Sequence, residues 1–288
     1  MASLKILIAS IVIAINTIVG FSLMMPVALV KLVLPLRLVR SLCDRALNAI
    51  AATWIAVNGL WIQGLNHTQW RVSGVDNLDP RGWYLLVCNH QSWVDIVALQ
   101  KVFLGRIPFL KFFIKHELIY VPFLGLAWWA LDFPFMKRRG GATLQQDLET
   151  ARKSCEKFRL IPTSVISFVE GTRFTPEKHA HQKSPYQHLL KPKGAGIGIA
   201  METMGDMFTQ VLNVTIVYPQ GVPTFVDLMA GRCQEIVVEV QPLPVPDLRS
   251  EPNGPLNPMA TQRWISRLWK EKDARIEELR GDPRQPSA

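Results

Sequence analysis

The sequence predicts an α/β domain, a mixed sheet flanked by helices, preceded by an N-terminal membrane-embedded two-helix segment. Three observations predict it. An uncharged apolar stretch opens the chain. Apolar and β-branched runs of strand length recur through its middle. Helix-spaced apolar patterns fill the intervals between those runs, the alternation that marks α/β architecture.

The opening stretch, Ile6 to Val30, carries no charge. At about 25 residues it is long enough to cross a hydrocarbon core of about 30 Å. A signal peptide would have a shorter apolar core and a small-x-small cleavage site, which is missing here, so an uncleaved segment is expected. A second uncharged stretch, Ala46 to Leu65, is more polar, with Asn48, Thr53, Asn58 and Gln63 inside it and Trp54 and Trp61 on one helical face. The connector between the two holds Lys31, Arg37, Arg40 and Arg45 against a single Asp44. The positive-inside rule places that connector in the cytoplasm.

Beyond Leu65 the elements follow in order. Asp79-Pro80-Arg81-Gly82 reads as a turn, and Trp83 to Cys88 as a buried strand. Ile96 to Phe103 has a helical pattern, and Thr143 to Phe158 repeats apolar Leu144, Leu148, Ala151, Cys155 and Phe158 at helical spacing. Thr163 to Val169, Val211 to Val217 and Glu235 to Val240 read as further strands. Phe109 to Phe135 is unusually aromatic; it suits either domain core or an exposed surface that receives apolar chains. Pro242 to Pro258 is proline-rich and reads as an extended linker. Met259 to Arg280 is amphipathic, with Trp264, Ile265, Leu268, Trp269 and Ile276 near one side, the pattern of a docked helix or of a second membrane contact. Gly281 to Ala288 reads as a frayed end. The chain thus divides into membrane-anchoring helices at 1–65, an α/β domain at 66–245, and a linker with a C-terminal amphipathic helix at 246–288.

Composition narrows the function. Of 288 residues, 49% are hydrophobic and 19% charged, and the formal net charge is +9. A basic and apolar chain without an RNA- or DNA-binding signature points to an anionic membrane surface rather than nucleic acid. The four cysteines, Cys43, Cys88, Cys155 and Cys233, lack metal spacing and read as reduced thiols. His179, His181 and His188 sit in a charged, proline-containing stretch that reads as a solvated loop, so no metal site is expected. Gly194 to Gly198 follows Lys-Pro-Lys rather than a strand, which argues against a dinucleotide loop. Neither a phosphate-binding Walker loop nor a serine-hydrolase elbow is present.

Three motifs carry chemistry. Asn89-His90-Gln91-Ser92-Trp93-Val94-Asp95 directly follows the strand Trp83 to Cys88. A histidine at the end of a buried strand projects into a cleft. An acid five residues on, in the first helical turn, can accept the Nδ1 proton and leave Nε2 as a general base. Asp95 alternatively serves only a capping box with Ser92. The second motif, Phe168-Val169-Glu170-Gly171-Thr172-Arg173, also ends a strand. Gly171 permits a tight turn whose backbone N–H groups can face an anion, and Thr172 and Arg173 add a hydroxyl and a bidentate fork suited to phosphate. The third is Lys137-Arg138-Arg139 after Phe133-Pro134-Phe135.

In this order and spacing the chain resembles the 1-acylglycerol-3-phosphate acyltransferases. Asn89, His90 and Asp95 match that family's N-H-x4-D motif, Phe135 to Arg138 its aromatic stretch closing on arginine, and Phe168 to Arg173 its F-x-E-G-T-R motif in full. The usual valine-proline pair is here Val214-Thr215, and Leu189 to Gly196 also resembles the branch with Val-Thr at that position. The resemblance implies a glycerolipid acyltransferase-like fold in which His90 is the general base and Asp95 orients it. Arg173, Arg138 and Lys137 would hold the acceptor phosphate, and Glu170, Gly171 and Thr172 would shape its pocket. It implies a lysophospholipid acceptor, chiefly lysophosphatidic acid, and acyl-CoA or acyl carrier protein as co-substrate, with no cofactor. Both donors are cytoplasmic, so the second hydrophobic segment is expected to lie in the cytoplasmic leaflet as a Trp-anchored amphipathic helix. The expectation is an integral or monotopic protein of a bacterial inner membrane, in contact with membrane phospholipids, its catalytic domain facing the cytoplasm. Rival readings are transfer to another lysophospholipid or to glycerol 3-phosphate, and a non-catalytic lipid-binding or membrane-shaping protein.

Overall fold

The computed structural model describes residues 2–137, 144–251 and 254–281. Its centre is a six-stranded sheet. The strands are β1 (Gln69–Ser73), β2 (Tyr84–Cys88), β3 (Leu110–Phe112), β6 (Ser164–Phe168), β7 (Gln210–Val217) and β8 (Glu235–Leu243), in the order β1-β8-β7-β2-β6-β3. Only β7 and β8 pair antiparallel. A separate two-stranded piece joins β4 (Ile114–Lys115) to β5 (Phe135–Met136).

β2 is buried along its whole length, as its continuous apolar run requires of a strand covered on both faces. Its side chains alternate. Leu86 and Cys88 join Val94, Ala98 and Leu99 of α3 (Val94–Phe103), together with residues of the N-terminal helices. Leu85 and Val87 point the other way. They pack with Cys155 of α5 (Leu144–Phe158), Ile197 and Ala200 of α7 (Ala195–Met204), and Ile265 and Trp269 of α9 (Pro258–Gly281).

The N-terminal segment is a hairpin of α1 (Ala2–Val33) and α2 (Arg37–Leu65), joined by only three residues, 34–36. The charged connector expected from sequence is therefore mostly helix. Part of its charge is paired: Lys31 meets Asp44 at 2.7 Å and also Asp132, and Arg40 approaches Asp132 at 3.4 Å. Among the described helices, α1 is the one long and apolar enough to cross a membrane. The expected Trp anchors of α2 face protein instead. Trp54 donates to Thr17 Oγ1 (3.2 Å) and packs on Gly20, and Trp61 is buried. Within the hairpin Asn16 Nδ2 donates to Asn58 Oδ1 at 3.2 Å.

The aromatic stretch divides between its two readings. Phe112, Leu131 and Phe133 are core, whereas Tyr120, Phe123, Leu126 and Trp129 are exposed around α4 (Leu124–Ala130). Phe123 meets Phe21 of α1 edge-on at 5.2 Å. β1 was not anticipated, since an edge strand reading Gln-Trp-Arg-Val-Ser has no apolar run. β8 takes in the first residues of the expected linker. Pro242 lies beyond the reach of β1, where a missing N–H costs no ladder bond. α9 docks on the domain by a stripe of Ile265, Leu268, Trp269, Ile276 and Leu279, each such burial contributing about 1.5–3 kcal/mol. The expected frayed end lies, from residue 282 on, outside the described residues.

Candidate active site

The strand order builds the site. β2 lies between β6 and β7 and runs parallel to both, so the segments leaving these three strands emerge together at one end of the sheet. The chain crosses from one side of β2 to the other between β6 and β7, a switch point at which ligands of open α/β sheets bind. The motif residues 89–95 leave β2, the residues 170–173 leave β6, and Tyr218 leaves β7.

Asn89 is fully buried and imitates a strand peptide. Its Nδ2 donates to the Ile216 carbonyl (2.8 Å) and its Oδ1 accepts the Ile216 N–H (2.9 Å), which extends the β2–β7 ladder by one residue. Gln91 Nε2 donates to the same carbonyl (2.9 Å). His90 is thereby held on a fixed stem. Its backbone is fastened at both ends: the N–H donates to Glu170 Oε1 (3.0 Å) and the carbonyl accepts from Phe174 N–H (2.7 Å). The imidazole stacks on Phe168, centroids 4.0 Å apart and planes 16° from parallel.

His90 Nδ1 lies 2.8 Å from Asp95 Oδ2. The same oxygen accepts the backbone N–H groups of Gln91 (2.6 Å) and Ser92 (2.8 Å), and Oδ1 accepts the hydroxyl of Tyr218 (2.6 Å). The two readings of Asp95 are therefore not alternatives: it closes half of a capping box and holds the histidine at once. Four polar groups thus converge on one carboxyl group, three at Oδ2 and one at Oδ1. Burial, and then the charge of Asp95, push the Tyr218 hydroxyl well above its ordinary range, so it stays a donor. With Nδ1–H turned to Asp95, Nε2 is the basic nitrogen, and it has no hydrogen-bond partner among the described residues. The His90 side chain keeps 14% of its surface open.

Among the described residues no serine or cysteine hydrogen-bonds that nitrogen. Ser92 is buried, donating to the Pro223 carbonyl (2.5 Å) and accepting from Val94 N–H (3.1 Å). Cys88 is buried too, and burial pushes its thiol up.

The second motif divides into a buried and an exposed half. Glu170 is fully buried and does not line a pocket as expected. Its Oε1 holds His90 and its Oε2 accepts the Leu190 N–H (2.9 Å). Burial raises its carboxyl to about 8, against the pull of these two N–H groups. Gly171 adopts φ +70, open to glycine without strain. Its N–H is turned inward to the Phe168 carbonyl (2.8 Å). Arg173 is exposed and lies 5.0 Å over the Trp93 ring. Lys178, which the sequence did not single out, donates to Thr172 Oγ1 (2.8 Å) and the Arg173 carbonyl (3.0 Å) and sets the loop between them. Lys193 runs beside Gly171, close enough that an added Cβ would sit 3.6 Å from its Nζ.

Of the third motif, Lys137 lies among the described residues. Lys137 follows β5 on the smaller sheet; its backbone N–H donates to Asp147 Oδ1 (2.7 Å) and its ammonium to Gln146 Oε1 (3.3 Å), both on α5. Arg138 lies outside the described residues. Among the described residues no three His, Cys, Asp or Glu side chains converge as metal ligands. Tyr218 escaped the sequence reading although it follows the apolar strand 211–217, because only the strand order sets that end beside His90.

Known proteins align with this arrangement. A family profile described as acyltransferase matches residues 69–219, which takes in both strand-end motifs. The 1-acyl-sn-glycerol-3-phosphate acyltransferase delta of Mus musculus is 27% identical over 207 residues, covering 67% of this chain and 52% of that protein. The human delta enzyme is 26% identical over 221 residues, covering 69% and 56%, and the human gamma enzyme 25% over 203 residues, covering 66% and 51%. The chain therefore spans about half the length of these relatives. The crystal structure of the 1-acyl-sn-glycerophosphate (LPA) acyltransferase from Thermotoga maritima superposes with TM-score 0.51 at 18% identity, over 95% of this chain and 100% of that one, a likeness of fold. With more than half its length matched by the family profile, the chain belongs to the acyltransferase family.

Proposed function

We propose that this chain moves a fatty acyl group from acyl-CoA or acyl carrier protein to the free hydroxyl of a lysophospholipid, chiefly lysophosphatidic acid, forming phosphatidic acid. The observation that carries this reading is the His90–Asp95 pair, 2.8 Å apart, with Nε2 unpartnered and no serine or cysteine placed to attack. His90 Nε2 takes the proton of the acceptor hydroxyl as its oxygen attacks the thioester carbonyl. The C–S bond breaks, and the imidazolium returns the proton to the departing thiolate. Asp95 keeps the ring oriented and offsets its transient positive charge. Arg173, over Trp93, offers its fork to the acceptor phosphate, with Arg138 and Lys137 as further candidates. Glycerol 3-phosphate and other lysophospholipids present the same hydroxyl-and-phosphate chemistry and are the competing acceptors. The names of the mouse and human relatives favour lysophosphatidic acid.

α1, with its exposed Leu4, Leu7, Ile11, Ile15 and Leu23, would hold the protein in a bilayer, a bacterial inner membrane with the domain on the cytoplasmic face. The test is a transfer assay with the full chain purified in detergent. Labelled acyl-CoA or acyl carrier protein is offered with lysophosphatidic acid, glycerol 3-phosphate or other lysophospholipids. Labelled phosphatidic acid from wild type but not from His90→Ala supports the proposal. Transfer by a folded His90→Ala protein at the wild-type rate refutes the mechanism. Liposome binding with no transfer to any acceptor would instead favour a lipid-binding protein.

A further inference from the structure

A polar path runs from the C-terminal helix to His90 through residues that none of the three motifs connects. Trp269 of α9 is fully buried and donates its indole N–H to the Leu190 carbonyl (3.0 Å). Leu190 N–H donates to Glu170 Oε2 (2.9 Å), and Glu170 Oε1 accepts the N–H of His90 (3.0 Å). One turn further along α9, Lys272 is 1% exposed. Its ammonium donates to the Val214 carbonyl and to Thr215 Oγ1, the latter at 3.2 Å, and lies 5.4 Å over the Trp269 ring. Val214 and Thr215 directly precede Ile216, whose peptide groups hold Asn89 and Gln91, and the same strand delivers Tyr218 to Asp95. α9 thus reaches both supports of the histidine: Glu170 through Leu190, and β7 through Lys272.

A helix that only covered a sheet would have no use for a lysine here. Ile265, Leu268 and Ile276 do that work beside it, and burying a cation among them costs free energy. Burial lowers the Lys272 ammonium to about 8, while the charges of Cys88, Glu170 and Glu239 pull it back up. Conversely, the charge of Lys272 draws the Glu170 carboxyl down, toward the form that accepts two N–H groups.

We propose that α9 is a positioning element of the active site, in which Trp269 and Lys272 hold the His90 backbone through Leu190–Glu170 and through β7, so that Nε2 meets the acceptor hydroxyl. The inference rests on His90 acting as the base. A displacement of about 1 Å at such a group is worth up to about a hundredfold in rate, so a distant hydrogen bond that fixes its stem registers in turnover.

The experiment compares Trp269→Phe, which keeps an aromatic ring but removes the indole N–H together with the pyrrole half of the indole, with Lys272→Met and with Arg275→Ala. Arg275 lies on the same helix and pairs with Glu239 (2.7 Å), and it makes none of the hydrogen bonds of the path. Each full-length variant is measured in detergent for Tm, kcat and KM. The His90 amide is followed by NMR in protein carrying 15N-histidine, assigned among the six histidines with a His90→Gln variant. The proposal expects kcat to fall about fivefold in Trp269→Phe and about tenfold or more in Lys272→Met, with KM within about twofold, and the His90 amide to shift in both. Arg275→Ala should lower Tm but keep kcat within about twofold and leave that amide in place. Trp269→Phe with wild-type turnover and an unmoved His90 amide overturns the proposal, as does a kcat that simply tracks Tm across the three. If Lys272→Met does not fold, Trp269→Phe decides alone. If the wild type transfers no acyl group, the functional reading fails, and the amide shift still decides whether α9 holds His90.

Discussion

Two loops leave adjacent parallel strands at the same end of the sheet, and they are built in opposite ways. In the loop after β2, Asn89, Ser92 and Asp95 are buried, and the backbone of His90 is fastened on both sides. In the loop after β6, Val169 and Glu170 are buried, and Glu170 serves the other loop; Arg173 reaches outward over Trp93. The difference reflects what each must do. A proton moves only between atoms held within hydrogen-bond reach, so the base needs a rigid stem. A phosphate can be met by a long charged arm that adjusts to it, and rigidity there would gain little.

If this division of labour holds, four substitutions in the full chain should sort by parameter as well as by size. His90→Ala should have the largest effect, a fall in kcat of about 10² to 10⁴, measured by steady-state transfer kinetics. Arg173→Ala should follow, raising KM for the phosphate-bearing acceptor about 10- to 100-fold while kcat moves by a few-fold. A loss confined to kcat would break the comparison. Tyr218→Phe removes one donor from Asp95 Oδ1 and should lower kcat about three- to tenfold at unchanged KM. Lys137→Ala should matter least, within about twofold in either parameter, because its ammonium is engaged with Gln146. A KM effect equal to that of Arg173→Ala would bring Lys137 into the phosphate site after all.

How much of this was legible in the sequence follows from range. His90 and Asp95 are five residues apart, and a strand running into a helix brings them together without help from the rest of the chain. The continuous apolar strands 84–88, 164–168 and 210–217 were likewise local signals, as was the stripe of α9. What escaped depended on partners far along the chain. Glu170 looks like a ligand-facing acid until Leu190 and His90 are found on its two oxygens. Lys31 and Arg40 look like a cytoplasmic charge cluster until Asp132 arrives from the loop after α4. Tyr218, Trp269 and Lys272 carry no motif, and their roles exist only once the strand order sets β7 beside β2 and lays α9 across the sheet. β1 was invisible for the opposite reason: an edge strand needs few apolar residues, so its pattern is weak.

The placement of the hairpin has a practical corollary. Ala9, Met24 and Ala28 of α1 and Leu47 and Ala51 of α2 share one continuous apolar cluster with Leu86 and Cys88 of β2. The greasy N-terminus is therefore no detachable tether. Trimming it away in pursuit of a detergent-free fragment would strip the wall from one side of the sheet, leaving a product that precipitates instead of a smaller working catalyst. Equally, were the hairpin seated in a bilayer as proposed, the height of His90 above the lipid would be set by side-chain packing, not by the slack of a linker.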